Sequence, residues 1–303
     1  MPAGYARPVR PPGAPRRCGA AGVTIGSTTG HTLVVINRSL SPRHAESPHV
    51  PVIGMGTSQT FDTDDAGLVR DVVDHALAAG TTLFDSSPMY GLAETRLGEA
   101  LQGRRNSAIV VTKVWTPDHD EAERQMDASA AFSGGRVELM QIHNMVEWPI
   151  RLDQIESRRD RGEIGLIGAT HWKADEFPAL EASMRTGRVD AIQIPYNPIE
   201  REVEERILPL AAELGLGVLI MRPFAKSGLM GNPPADAELA PLAAFGIHTW
   251  AQALLAWGLS HPATTVSIPA TSKPDRATEN AAAGAAQVLD DEHRDLIALL
   301  ATR

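Results

Sequence analysis

Four residues in this chain carry more chemistry than their surroundings explain. The run "TTLFD" (81–85) is apolar until it ends on Asp85, and Tyr90 follows five residues later, just before Gly91. Lys113 interrupts "VVTKVW", where an unpaired ammonium is costly to bury. His143 closes "VELMQIH". Taken singly, an Asp after a strand is commonly a turn or cap residue, and a lone His is commonly a satisfied core side chain. Taken together they suit proton transfer. Asp85 is the natural partner for Lys113. A lysine ammonium beside a tyrosine favours the phenolate and lowers the phenol pKa from its usual value of about 10. His143 can orient a carbonyl oxygen or assist the transfer. The set suits protonation of a developing alkoxide. It lacks the spacing of a zinc site, and no serine or cysteine nucleophile has an evident base.

These residues must be positioned by regular elements, and the sequence alternates two periods from about residue 50 onward. Short β-branched or apolar runs read as strands: "VPVIGMG" (50–56), "TTLFD" (81–85), "AIVVTKV" (108–114), "VELMQIH" (137–143), "IGLIGAT" (164–170), "DAIQIPY" (190–196), "LGVLIMR" (216–222) and "TTVSIPA" (264–270). Continuous apolar runs are the mark of strands buried on both faces. Helical stretches lie between them. "AGLVRDVVDHALAAG" puts Leu68, Val72, Val73, Ala76 and Leu77 on one face, and Gly80 stops it. Pro209 is expected to kink or restart the helix in "EVEERILPLAAELG". "IHTWAQALLAWGLSHP" is so apolar that it should be well buried. Eight β-then-α units in roughly 220 residues predict an α/β fold, a (β/α)8 TIM barrel, over an open doubly wound sheet. "GMGTSQ" (54–59) lacks the third glycine of a dinucleotide fingerprint. It reads as a strand end, at Gly56 and Thr57, where backbone passes close to something.

In such a barrel, chemistry sits at the C-terminal strand ends. Those ends carry Asp85, Lys113, His143, Thr170 with His171, Gln193 with Tyr196 and Asn197, and Met221 with Arg222. The loops after the seventh and eighth strands are the usual phosphate site of the fold. Here they hold Pro223, Phe224, Lys226, Ser227 and Gly228, then Pro269, Ala270, Thr271, Ser272, Lys273 and Arg276. Cationic side chains and backbone donors at a helix start suit phosphates.

Composition narrows the classes. A chain of 303 residues with 43% hydrophobic content supports a sizeable core. Its single cysteine, Cys18, rules out an intramolecular disulfide framework and a multi-cysteine metal site. No apolar run reaches membrane-spanning length. The net charge of −9 argues against nucleic acid as the main partner. Residues 1–46 hold six arginines and one acid, Glu46, among many Pro, Gly, Ser and Thr residues. They are expected to form a flexible extension, with a short strand or hairpin within 31–40, ahead of a barrel domain over 47–303. The Arg16-Arg17 pair suggests an export signal, but the segment after it is too broken by Gly, Thr, Ser and His31 for an apolar h-region. The expected location is therefore cytoplasmic.

Several segments together resemble the aldo-keto reductase superfamily, over about residues 50–303. They are "FDSSPMYGLAETRLGEAL", "VVTKVW", "LMQIHN", "IQIPYNP" and "SIPATSKPDRATEN". The resemblance implies that Tyr90 is the general acid in carbonyl reduction, that Lys113 and Asp85 tune it, and that His143 positions the substrate. It implies an extended nicotinamide dinucleotide across the barrel mouth, without a Rossmann domain. Gln193 matches the residue that bonds the carboxamide, and Thr170 and His171 occupy a usual Ser-Asn pair. Arg276 matches a contact to the adenosine 2′-phosphate, and Glu279 and Asn280 match residues around the adenine. With Lys273 nearby, NADPH is expected over NADH, although NADH use stays open. Two positions depart from the family pattern. Met221 replaces a common aromatic residue, and Arg222 replaces a small hydroxyl residue, where it can reach a phosphate, a substrate anion or a carboxylate of the chain. The expected activity is NADPH-dependent reduction of aldehydes or ketones to alcohols. A redox sensor with little turnover, or a barrel lyase or isomerase without nicotinamide, are the alternatives. The partners are small-molecule carbonyls, with neither nucleic acid nor membrane, and the sequence is silent on oligomeric state. The short loops "TSQTFDTDD", "VWTPDHDEA" and "NMVEWPI" suggest an open pocket, partly lined by Trp115 and Trp148, that takes varied carbonyls.

Overall fold

Strands buried on both faces need a layer of helices outside and a filled interior, and the computed structural model, which describes residues 21–25 and 33–303, has both. A small antiparallel sheet comes first, in the order β1 (Ala21–Ile25), β2 (Leu33–Ser39) and β3 (His49–Pro51). The parallel strands follow: β4 (Met55–Gly56), β5 (Leu83–Asp85), β6 (Ile109–Val114), β7 (Val137–His143), β8 (Ile164–Thr170), β9 (Ala191–Pro195), β10 (Gly217–Met221) and β11 (Val266–Ser267). Each pairs with its neighbours in chain order from β4 to β11. Parallel bridges from Ile53 to Ser267 and from Gly56 to Ala270 join the two ends. That closure decides for the barrel and against the open sheet.

Ten helices clothe the ring among the described residues: α1 (Ala66–Ala78), α2 (Ala93–Ala100), α3 (His119–Phe132), α4 (Trp148–Asp160), α5 (Phe177–Arg185), α6 (Ile207–Leu214), α7 (Asp236–Leu239), α8 (Trp250–Leu259), α9 (Pro274–Ala282) and α10 (Asp291–Ala301). In α1 the buried residues are Val69, Val72, Val73 and Ala76, with Leu68 and Leu77 at the margin. α6 starts at Ile207 after a separate turn at Glu202–Glu204. Pro209 thus falls in the first turn, where its missing N–H costs no helical bond. Every residue of α8 is buried. No single helix among the described residues is long and apolar enough to cross a membrane. One bent pair, Asp236–Phe245 with Trp250–Leu259, has the composition, but its second member is the core helix α8.

The interior divides into two levels. Leu83, Val111, Leu139, Leu166, Ala191, Leu219 and Val266 form one apolar cluster, because side chains two apart along a strand share a face. Continuing the same face upward brings Asp85, Lys113, Gln141 and Gln193 inward. Register fixes their level: Lys113 lies opposite Gln141, and Gln141 opposite Gly168. Gly168 makes room for the glutamine, since a Cβ there would stand 2.6 Å from Gln141 Cγ.

Leu40 and Val50 belong to the same interior cluster and are fully buried. They come from the β2–β3 segment, which folds across the lower end of the barrel. Arg43 N donates to Gly215 O at 2.9 Å. The Arg43 guanidinium and the His44 ring meet buried Asp190 at 2.6 and 2.8 Å. Arg38 donates to Thr264 O and Leu259 O. The strand expected within 31–40 is therefore present as β2, and the expectation of a flexible segment is corrected for residues 33–46. Their composition reads as loose, yet two apolar residues, two arginines and a histidine anchor them. Arg16, Arg17 and Cys18 lie outside the described residues.

The segment fits closely against β10. A Cβ at Gly217 would lie 1.8 Å from Leu40 O, a clash with backbone rather than with a flexible side-chain end. Gly217→Ala is expected to destabilise the protein by about 3 kcal/mol, read as a lower urea midpoint. An unchanged midpoint would mean that the β2–β3 segment is not seated as described.

Candidate active site

The polar level of the barrel is built around one carboxylate. Asp85 and Lys113 are 3% and 1% exposed, and Lys113 Nζ stands 2.7 Å from Asp85 Oδ2. The ammonium also donates to Ser86 O at 2.7 Å. Asp85 Oδ1 accepts from Gln193 Nε2 at 2.7 Å and from Gln141 Nε2 at 3.1 Å. Buried ions are tolerable only when paired and hydrogen-bonded in this way. Thr57 braces the neighbouring turn, its hydroxyl donating to Asp85 O and lying 2.9 Å from Ser86 Oγ.

Tyr90 is half-buried above this pair, with Lys113 Nζ 5.1 Å from its ring centroid. Its ring meets His143 edge-on, with centroids 5.8 Å apart at 89°. Ser87 Oγ lies 3.0 Å from His143 Nδ1 and accepts from Met89 N. Where the Ser87 hydroxyl donates to Nδ1, Nε2 is the protonated nitrogen of a neutral ring.

Burial, more than charge, sets the protonation states of Tyr90 and His143. It raises the Tyr90 pKa above the ordinary phenol value, with Lys113 pulling down and Asp85 pushing up. The expectation of a lowered Tyr90 pKa is thereby corrected. The lysine acts in the expected direction, but desolvation of the phenolate outweighs it. Lys113 is pulled down by burial and pulled up further by Asp85 and Tyr90, so its pKa is raised and it stays an ammonium. Burial, then Lys113 and His171, push His143 down to about 2. The imidazole is therefore neutral, a hydrogen-bonding group rather than a cation.

A cavity of about 470 Å³ opens over these residues. Asp85, Tyr90, His143, Gly56, Thr170, Gln193, Met221 and Ala270 line it from the barrel, and Arg222, Pro223, Phe224, Lys226 and Ser227 line it from the loop after β10. Lys113 stays behind Asp85. Gln193 gives one amide N–H to Asp85, which leaves its second N–H and its amide oxygen for a ligand. His171 stands just outside the wall, its ring parallel to Trp172 at 8°. Gly228, Pro269, Thr271, Ser272, Lys273, Arg276, Glu279 and Asn280 are not lining residues. The last three lie on α9, with Lys273 at its N-cap.

Neither tryptophan expected in the wall is there. Trp115 is 42% exposed, and Trp148 packs into the core outside the barrel. The wall instead contains Trp172, together with Ser58, Gln59, Thr60, Met89, Asn144 and Ile268. Trp172 directly follows the Thr170-His171 strand end, so one further step past the strand would have reached it. Its ring collects cations: Arg222 Cζ at 4.6 Å, Lys173 Nζ at 4.9 Å and Lys226 Nζ at 5.4 Å. Among the described residues no cluster of three or more His, Cys, Asp or Glu could hold a metal ion.

Removing one partner of the buried pair should cost more than removing both. Asp85→Asn strands the Lys113 ammonium and is expected to lose about 3–5 kcal/mol of stability in urea unfolding. Asp85→Asn combined with Lys113→Met should recover most of that loss. Additive losses would show that the two charges are not coupled.

Comparison with known proteins agrees with this architecture. Residues 52–301 match the model of the aldo/keto reductase family. An uncharacterized oxidoreductase of Mycobacterium tuberculosis is 28% identical over 270 residues, covering 76% of this chain and 83% of its own. Aldo-keto reductase YhdN of Bacillus subtilis is 26% identical over 210 residues, 59% of this chain and 60% of its own. Among solved structures, an aldo-keto reductase from Klebsiella pneumoniae in complex with NADPH has a TM-score of 0.73 at 24% identity, over 87% of this chain and 95% of that one. The holo form of aldo-keto reductase AKR11C1 from Bacillus halodurans has a TM-score of 0.73 at 23% identity, over the same shares. These likenesses show a shared fold. The family match runs from just before the first barrel strand to the end of the last helix, and the chain is therefore an oxidoreductase belonging to the aldo/keto reductase family.

Proposed function

We propose that this protein reduces aldehydes or ketones to alcohols with NADPH, and that Tyr90 donates the proton. The observation that carries the reading is a phenol kept protonated by burial, facing a cavity, with a fixed ammonium 5.1 Å from its ring. The residues around the cavity suit a nicotinamide dinucleotide. Arg222 and Lys226 line it, Lys273 and Arg276 start the neighbouring helix, and none of the four has an ion-pair partner among the described residues. Elsewhere in the chain arginines are heavily paired, as Arg158 is with Glu123, Asp127 and Glu163. Unspent cations at one mouth fit phosphates, and a second cationic centre at α9 favours NADPH over NADH. Thr170 and the Gln193 amide oxygen would hold the carboxamide end.

When bound, the dinucleotide supplies the hydride. The remaining work falls to this chain. His143, neutral and held by Ser87, donates through Nε2 to the carbonyl oxygen and sets its position. The Tyr90 hydroxyl passes its proton to that oxygen as negative charge develops there. The Lys113 ammonium stabilises the phenolate left behind, and Asp85 fixes the ammonium. Each turnover adds a hydride to the carbonyl carbon and a proton to its oxygen, and solvent restores the tyrosine proton. The reaction needs only soluble reactants, and we place it in the cytoplasm.

Tyr90→Phe is expected to lower NADPH-dependent reduction by about 100- to 10,000-fold, with the NADPH fluorescence change on binding retained. Full activity in that variant would remove Tyr90 as donor, and no fluorescence change in the wild type would remove the cofactor assignment. A raised Tyr90 pKa leaves the donor protonated below it, so activity is present at lower pH and lost as pH climbs through that value. The rate should therefore stay flat through neutral pH and fall only above the ordinary phenol range. With His143 already neutral at these pH values, no inflection is expected near the ordinary histidine pKa.

A further inference from the structure

Arg222 is a half-buried cation without a carboxylate partner. It lines the cavity beside Tyr90 and His143, and no acid of the described residues comes within ion-pair distance of it. Glu200, whose charge acts on it, is itself held by Asn197 Nδ2 at 2.5 Å. Taking a guanidinium out of water with its donors unspent is costly, so its placement needs a cause.

The fold holds the backbone and the side chain of this residue in place. Asn197 is fully buried and donates to Arg222 O at 2.9 Å. Arg222 has a left-handed backbone with φ of 53°, which a non-glycine residue adopts only when its surroundings enforce it. On the other side, the guanidinium lies over Trp172 with Cζ 4.6 Å from the ring centroid. Stacking on an aromatic face fixes the plane of the guanidinium while leaving its edge donors free. A fixed fork of N–H groups at the wall of a reaction cavity is a receptor for a planar, bidentate anion.

Two anions could reach it: a carboxylate on the substrate, or a phosphate of the cofactor. The position favours the first. Arg222 and Tyr90 share the cavity wall, and each lies within the other's electrostatic field. Lys226 lines the same cavity four residues further along the loop, and Lys273 and Arg276 lie at α9, outside its lining; of these cations only Arg222 acts on Tyr90. We infer that Arg222, held on the face of Trp172, binds a carboxylate carried by the substrate, so that the preferred carbonyl compounds are oxo acids and carboxylated aldehydes. The carboxylate is a spectator: it gains and loses no bond while the carbonyl is reduced. This rests on the reductase reading given above. It also replaces the expectation of an indifferent pocket, whose two tryptophans are not in the wall.

The test compares 4-carboxybenzaldehyde with methyl 4-formylbenzoate as substrates for NADPH oxidation by the wild type, Arg222→Met and Arg222→Lys. The wild type should prefer the acid by about tenfold or more in kcat/KM. Arg222→Met should bring the ratio close to one, and Arg222→Lys, with a point charge in place of the fork, should keep part of it. No preference in the wild type overturns the inference. So does a ratio that survives Arg222→Met while the NADPH KM rises about tenfold, since the guanidinium then serves a cofactor phosphate. If neither aldehyde is reduced, the reductase reading fails on its own, and calorimetric titration of the NADP⁺-saturated protein with benzoate and benzamide still decides the site. Binding of benzoate but not benzamide, lost in Arg222→Met, upholds the carboxylate site. Equal binding of both, or of neither, sinks it.

Discussion

The ion pair between Lys113 and Asp85 is the constraint to which the rest of the site answers. An ammonium with a fully buried side chain is stable only while its carboxylate, 2.7 Å away, remains ionised and in place. Four strands share that task. β5 supplies Asp85, β6 supplies Lys113, and β7 and β9 supply the glutamines that saturate the second carboxylate oxygen. A buried pair of this kind contributes little net stability compared with apolar packing. Its effect is instead to hold a fixed positive charge beneath a phenol, which a flexible surface lysine could not do.

A barrel interior can contain such a pair because its two levels are kept apart. The lower level is apolar and closed from beneath by Leu40 and Val50, and the upper level is polar and open to the cavity. Water would screen the pair from below if the lower end were open. The β2–β3 segment therefore has a bearing on the chemistry although it touches none of the reacting groups. Gly217 shows how closely it fits, since the carbonyl of Leu40 occupies the space that a side chain would need. The Arg43 ion pair and the His44 ring contact to buried Asp190 hold the same segment.

Charge is distributed differently at the barrel mouth. On the outer helices, cations are matched to acids, as in the group around Arg158. Around the cavity the cations are left unmatched and are gathered instead on the π-face of Trp172. An aromatic ring holds a cation in place without neutralising it, so the positive field remains available to an incoming anion. The left-handed run at Ala225, Lys226 and Ser227 turns the same loop tightly back on itself next to the cavity.

Much of this was legible in the sequence. The alternation of buried runs with helical stretches determined the barrel, because only strands covered on both faces read as unbroken apolar runs. The strand ends then named Asp85, Lys113 and His143, since a charged group that closes an apolar run must find a partner at the same end of the sheet. Other features depend on sums over three dimensions. The direction of the Tyr90 shift was set by desolvation exceeding the pull of Lys113, and burial of a loop residue is not encoded by its neighbours in sequence. Which tryptophan faces the cavity depended on how each loop leaves its strand, so Trp172 replaced Trp115 and Trp148. Residues 33–46 read as loose by composition because Leu40 has no apolar neighbour at strand spacing; its partners, from Leu83 on β5 to Val266 on β11, are brought together only when the ring closes. The sequence by itself determined which residues could do chemistry and that a barrel would gather them. The tertiary structure decided their protonation states, their spare hydrogen bonds and the wall they face, because each of those is set by what is packed around a group and not by what precedes it in the chain.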